Sequence, residues 1–350
     1  MTRTSAAAHS RKLTVALLCC LPFLAPFGGA SRNADLQGIV LLLAGAIGWT
    51  AIILRPDGMT KSLRSGMGVL LAIFLLSCAL SAAVNPHLAY DLWGAPYVRL
   101  GAAGFFACAG CGLALRQVPA KQFSTWLFVI ILMLAIVAAP YTRWHAHSLA
   151  RIGGLFSQAD IFAVFLSCGL LLSLQMREYY RDLRAYILAS QVLFFGLLLL
   201  SGTRFALLTV LVLMPIYLQQ LRGWWGAGRW LLYLAVVVIL LVALRGALPA
   251  RVTNVGYADE SIHYRLDLQS AAMRSAVHRP VAGYGPGNLA DALDCRKLAA
   301  ADLQATCRQH YFFNSSHNIY LDRVLAVGWL GGLAFLGLVT LGAYRNLRGG

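Results

Sequence analysis

Four short clusters hold the residues whose types and spacing could act on a substrate. They are Arg151-Ile-Gly-Gly-Leu-Phe-Ser-Gln-Ala-Asp160; Ser201-Gly-Thr-Arg204; Tyr264-Arg265-Leu-Asp267 followed by Arg279-Pro280-Val-Ala-Gly283-Tyr-Gly285-Pro-Gly287-Asn288; and Asn314-Ser-Ser316-His317-Asn318-Ile-Tyr320. Arginine suits phosphate, because its rigid fork holds two oxygens with parallel hydrogen bonds. Arg204 stands between two apolar runs, where a guanidinium is costly unless it meets an anion, lines a wet cavity or snorkels to lipid headgroups. Arg265 taken alone reads as a solvated arginine. His317 lies where a polar segment runs back into an apolar one. A neutral imidazole there can take a proton from an attacking hydroxyl, or serve as a structural hydrogen-bonding residue.

The run Gly283 to Gly287 either presents backbone amides to a phosphate or simply turns the chain. It lacks the Lys-Ser/Thr of a P-loop and the strand–helix setting of a dinucleotide site, so nucleotide chemistry is not expected. No metal and no cofactor are expected either. His310 forms no HxxxH or HExxH pattern with His317, glutamate occurs only at Glu178 and Glu260, and Cys108 and Cys111 have CxxC spacing without a second ligand pair.

The elements that must position these clusters follow from composition. Of 350 residues, 59% are hydrophobic and 12% charged, and the mean hydropathy is +0.68. Those values exclude a soluble enzyme, a disordered chain and a small disulfide scaffold. The expected fold is an all-α polytopic membrane protein, because a backbone in lipid must satisfy its own hydrogen bonds. About ten spans of roughly 20 residues are expected, more if one is split. They fall near 13–30, 36–54, 66–84, 97–115, 123–141, 160–176, 185–201, 205–220, 230–247 and 322–344. The first, behind Arg11 and Lys12, reads as a retained helix rather than a cleaved signal peptide.

The net charge of +16 would suggest nucleic acid in a soluble protein. Here the positive charge lies in short segments between apolar runs, which points to topology and to no nucleic-acid partner. Arg3, Arg11 and Lys12 share a side with Arg55, Lys61, Arg64, Arg116, Lys121, Arg177, Arg181, Arg184, Arg222, Arg229, Arg345 and Arg348. The opposite short loops carry Arg32, Arg143, Arg151 and Arg204. The N-terminus is therefore expected in the cytoplasm. The chain divides into N-terminal helices (1–142), central helices with short basic outer turns (143–247), a long outer loop (248–320) and a last helix with a cytoplasmic end (321–350). The loop carries four of the eight histidines and six of the thirteen acidic residues, so soluble chemistry is expected there. Cys295 and Cys307 also lie in it and, in an oxidising compartment, either pair or stay free.

In order and spacing the clusters resemble the O-antigen ligase and polymerase superfamily of bacterial membrane glycosyltransferases. The resemblance rests on His317-Asn318 with the trailing Gly328 to Gly331, on Pro280, Gly283, Gly285 and Gly287 preceded by Arg265, on Ser201 with Arg204, and on Arg151, Gly154 and Phe156. It covers roughly residues 143–344. Asp160 stands where many relatives have asparagine, Thr203 occupies a variable slot, and relatives are expected to continue with a further hydrophobic stretch beyond Arg345.

The resemblance implies a fold similar to the GT-C type, with a long helical periplasmic loop. It implies a multi-pass protein of the bacterial inner membrane whose active site faces the periplasm. The donor would be a glycan on undecaprenyl pyrophosphate and the acceptor a sugar hydroxyl of lipid A–core. Arg204 and Arg265 would clamp the pyrophosphate, and His317 would position or deprotonate the acceptor hydroxyl. Attack would invert the anomeric carbon without metal. Arg151, Gly283, Gly285, Gly287, Ser316, Asn318 and Tyr320 would bind substrate. Compact size and a modest loop favour a ligase over an O-antigen polymerase, with a protein oligosaccharyltransferase as a further relative. From a different class, a transporter of lipid-linked glycans would place polar groups in broken helices near the bilayer midplane, whereas these clusters gather at one face.

Overall fold

A computed structural model describes residues 3–20, 30–54, 65–94, 101–116, 118–146, 159–203, 206–211, 213–214, 235, 256–293 and 315–348. Among the described residues the regular elements are all helical. They are α1 (Arg3–Cys20), α2 (Ala30–Ile53), α3 (Gly66–Val84), α4 (Leu88–Trp93), α5 (Ala102–Leu115), α6 (Ala120–Ala146), α7 (Ala159–Tyr179), a 3-10 turn (Arg181–Leu183), α8 (Arg184–Ser201), α9 (Gly256–His278), α10 (Leu289–Ala292) and α11 (Ile319–Arg348).

Five helical segments among the described residues are long and apolar enough to cross a membrane: Gly66–Val84, Ala120–Ala138, Ile161–Tyr179, Arg181–Ser201 and Ile319–Arg345. Two shorter apolar helices, Gln37–Ile53 and Ala102–Leu115, accompany them. The chain is a polytopic helical membrane protein. Its helices bury one apolar face and expose another: on α8, Phe194 and Leu198 are fully buried while Val192 is 68% exposed, as expected where the surroundings are lipid tails rather than water. The spans expected near 205–220 and 230–247 lie largely outside the described residues. The span expected over 97–115 is helical from Ala102, which gives 14 residues and roughly 21 Å of helix.

The chain forms two compact units. One comprises Met1–Leu21, Gly28–Gln117 and Ala258–Gly350. Here α3 starts at Ser65, whose side chain accepts from Gly68 N at 3.3 Å, and stops before Asn85-Pro86, since the residue before proline disfavours helix. Its face of Phe74, Leu75, Cys78 and Ala82 packs with Ala102 and Ala109 of α5 and with Ala326, Val327 and Ala334 of α11. α2 lies close along α5, where a Cβ at Gly48 would stand 2.6 Å from Gly110 O. Small residues are what allow such approach in a membrane bundle.

The other unit comprises Pro22–Phe27 and Val118–Tyr257. Its core joins Phe128, Ile131, Phe162, Leu166, Phe194 and Leu197 from α6, α7 and α8. Gln191 Nε2 donates to Ser173 Oγ at 2.9 Å, bridging α7 and α8. Lys121 sits over the rings of Tyr179 and Tyr180.

The last helix carries a break. The span expected over 322–344 falls within α11, and α11 is broken at Gly328, whose backbone (φ 77°, ψ 176°) is not helical. A Cβ added to Gly332 would stand 2.9 Å from Val324 Cα. In a straight helix those positions are about 12 Å apart along the axis, so the chain turns sharply and its two halves pack together.

Candidate functional site

A break inside an apolar helix frees carbonyl groups, and each must find a donor. The glycine-rich loop supplies them. Tyr284 N donates to Leu325 O at 2.8 Å, Gly285 N to Ala326 O at 3.0 Å, and Trp329 N donates back to Pro280 O at 2.8 Å. From α3, Ser81 Oγ also donates to Ala326 O at 2.8 Å. The loop approaches so closely that a Cβ on Gly285 would overlap the carboxylate of buried Asp91 on α4. In this structure the amides of Gly283 and Gly285 are engaged, with Arg279 O and Ala326 O respectively. These glycines join the loop to the broken helix.

Arg279 anchors the loop's start. Its Nη1 donates to Asn85 Oδ1 at 2.7 Å, and its guanidinium lies 4.9 Å from the centre of the Tyr284 ring. Buried Asn85 in turn donates through Nδ2 to Ser81 O at 2.8 Å. One network thus ties the end of α3 to the loop and to the break.

α9 and the first half of α11 share an apolar cluster. Leu268, Ala271, Ala272 and Ala276, a stripe at helical spacing, meet Leu321, Val324 and Leu325, with Ala292 of α10 and Leu293 just after it alongside. Arg265 sits one turn before Leu268 on that stripe, at an exposed position.

His317 lies one turn's length before Leu321, at the start of the other wall. It is exposed and adopts a left-handed backbone, φ 57°. Asn318 caps α11, its Oδ1 accepting from Tyr320 N at 3.1 Å and Leu321 N at 3.3 Å. Ser316 is fully buried, with its Oγ 3.2 Å from Asn318 O and 3.3 Å from Asn318 N. Tyr320 is 40% exposed beside the turn. Arg265 thus stands one turn before Leu268 on α9, and the turn of Ser316, His317 and Asn318, with Tyr320, directly precedes Leu321 on α11; Leu268 and Leu321 belong to the same apolar cluster, and the glycine loop lies where α9 ends and α11 breaks.

In the other unit, α8 ends at Gly202 in the left-handed conformation (φ 67°), with its N–H on Leu199 O. Thr203 N donates to Ser201 Oγ at 3.3 Å. This turn directs the chain to Arg204. Arg204, Arg151 and the pair Cys295 and Cys307 lie outside the described residues. Among the described residues no group of three histidine, cysteine or acidic side chains is placed to hold a metal ion.

Residues 189–336 match the family model described as O-antigen ligase. This segment is thus similar to the O-antigen ligase family. No curated protein matches the chain, and no solved structure does. The matched segment begins within α8 and ends within α11, so it contains the Ser201–Thr203 turn, Arg265, the glycine loop and the His317 turn.

Within the matched segment the structure shows two interactions that the sequence did not single out. Asp322 is 6% exposed; its Oδ1 accepts from Ser316 N and its Oδ2 from Ser315 Oγ, both at 2.7 Å. Arg323 stacks 4.6 Å from the centre of the Phe105 ring and 5.9 Å from that of Phe335, which binds the first half of α11 to α5. The signal for Asp322 is an acidic residue in the first turn of an apolar helix, a position that by itself reads as helix-dipole complement.

Proposed function

We propose that this protein is an O-antigen ligase, transferring a glycan from undecaprenyl pyrophosphate to a sugar hydroxyl of lipid A–core. The observation that carries this reading is the match to the family over 189–336, a segment that also contains Arg265 and the His317 turn. The acceptor oxygen bonds to the anomeric carbon as the bond from that carbon to the phosphate oxygen breaks. Configuration inverts, and undecaprenyl pyrophosphate departs. His317 takes the hydroxyl proton or orients the hydroxyl. Arg265 and Arg204 hold the pyrophosphate and stabilise the charge that grows on it, so no metal is required. Arg151 adds a further phosphate contact, and exposed Tyr320 borders the sugar. Ser316 and Asn318 shape the turn, and Gly283, Gly285 and Gly287 set the loop beside it. The reaction takes place at the periplasmic face of the inner membrane, with the N-terminus in the cytoplasm.

Removing either clamp tests this directly. Arg265→Ala and Arg204→Ala are each expected to lower transfer by about 10²–10³-fold while the protein remains inserted and monodisperse. Turnover near the parent level in both variants contradicts the assignment. Arg265→Lys should recover only part of the rate, because an ammonium cannot hold two oxygens in the same plane.

A further inference from the structure

We propose that Asp322 is the positioning residue of His317. The proposal rests on the reading of His317 as the residue that handles the acceptor hydroxyl. Among the described residues His317 is the one non-glycine residue with positive φ. A side chain persists in that conformation where its surroundings hold it.

The hold can be followed atom by atom. His317 N donates to Ser315 Oγ at 3.0 Å, and that hydroxyl donates to Asp322 Oδ2 at 2.7 Å. Ser316 N donates to Asp322 Oδ1 at 2.7 Å. Both oxygens of one buried carboxylate thus receive the backbone that precedes the imidazole. The carboxylate stands in the first turn of α11, whose next residues, Val324 and Leu325, are fixed in the cluster shared with α9. His317 is thereby tied to the first half of α11, which shares that cluster with α9. Asp322 works through the turn, since its oxygens already receive Ser316 N and Ser315 Oγ.

A residue that merely starts a helix would affect stability alone; a positioning residue affects turnover with little change in donor affinity. Two variants separate these cases. Asp322→Asn keeps the volume but replaces one acceptor with a donor. Ser315→Ala cuts the link to His317 N–H and leaves Asp322 in place.

Hydrogen exchange and steady-state kinetics are measured on the full-length protein in detergent. Both variants should speed amide exchange in the 315–321 segment more than about tenfold, with α3 unchanged. Both should lower kcat up to about 100-fold, with KM for the lipid-linked donor within about twofold. On a His317→Asn background Asp322→Asn should cause no further loss of turnover. Unchanged exchange over 315–321 in both variants overturns the hold. Faster exchange with unaltered kcat overturns its role in the reaction. Full turnover by His317→Asn would instead sink the assignment of His317, and the exchange result then still decides whether Asp322 fixes the turn.

Discussion

Replacing His317 with asparagine is expected to lower turnover by about 10²–10⁴-fold, the usual contribution of a positioned proton acceptor. Asparagine is the informative substitute because it tolerates a left-handed backbone better than most residues. The turn should survive while the imidazole is lost. The side chain at 317 is exposed, so thermal stability should stay within about 0.5 kcal/mol of the parent. His317→Ala should lose at least as much activity, with a small additional strain at φ 57°. The check is initial rate against lipid-linked donor at saturating acceptor, with size-exclusion profile and melting curve alongside. Transfer within a few-fold of the parent in His317→Asn would remove the base and orienting roles together.

The largest structural effect is expected at Gly328. Its backbone, φ 77° and ψ 176°, lies in a region essentially reserved for glycine. A Cβ there would also press on Val281 O and come within 2.7 Å of Pro280 O. Gly328→Ala should therefore destabilise the first unit by about 3 kcal/mol or more. The junction at risk carries Tyr284 N on Leu325 O, Gly285 N on Ala326 O and Trp329 N on Pro280 O. Gly112→Ala is the matched control: it lies in α5, where an added Cβ meets nothing within 4 Å. That substitution should be neutral or slightly stabilising, because alanine outranks glycine within a helix. Equal melting temperatures for the two variants contradict the broken-helix account.

What the sequence disclosed and what it withheld follow from the range of the interactions. Hydropathy identifies the apolar helices because burial and lipid exposure both demand apolar side chains. Arg265 alone reads as a solvated arginine and is drawn out by the order and spacing of the clusters, whereas His317 stands out where a polar segment runs into an apolar one. The break at Gly328 was not legible. The run from Val324 to Leu338 is apolar throughout, with Gly331 and Gly332 beside Gly328, and glycine is common in membrane helices. The donors that make a break tolerable come from Tyr284, Gly285 and Ser81, distant in the chain. The pairing of Arg279 with Asn85 was hidden for the same reason. Asp322 was overlooked because only the folded turn shows that both its oxygens meet Ser315 and Ser316. The glycine run allowed either a turn or a phosphate cradle; in the structure the amides of Gly283 and Gly285 serve the joint with α11.

The central claim is glycan transfer from a lipid pyrophosphate to lipid A–core without metal or nucleotide. The most direct test incubates purified full-length protein with undecaprenyl-pyrophosphate-linked glycan in chelator, with and without lipid A–core, and resolves the products by mass. The account predicts glycan on lipid A–core in the first tube and unchanged donor in the second. Longer lipid-linked chains formed without lipid A–core would contradict it in favour of a polymerase. No new glycosidic bond in either tube, with folded protein and authentic substrates, would contradict transfer altogether.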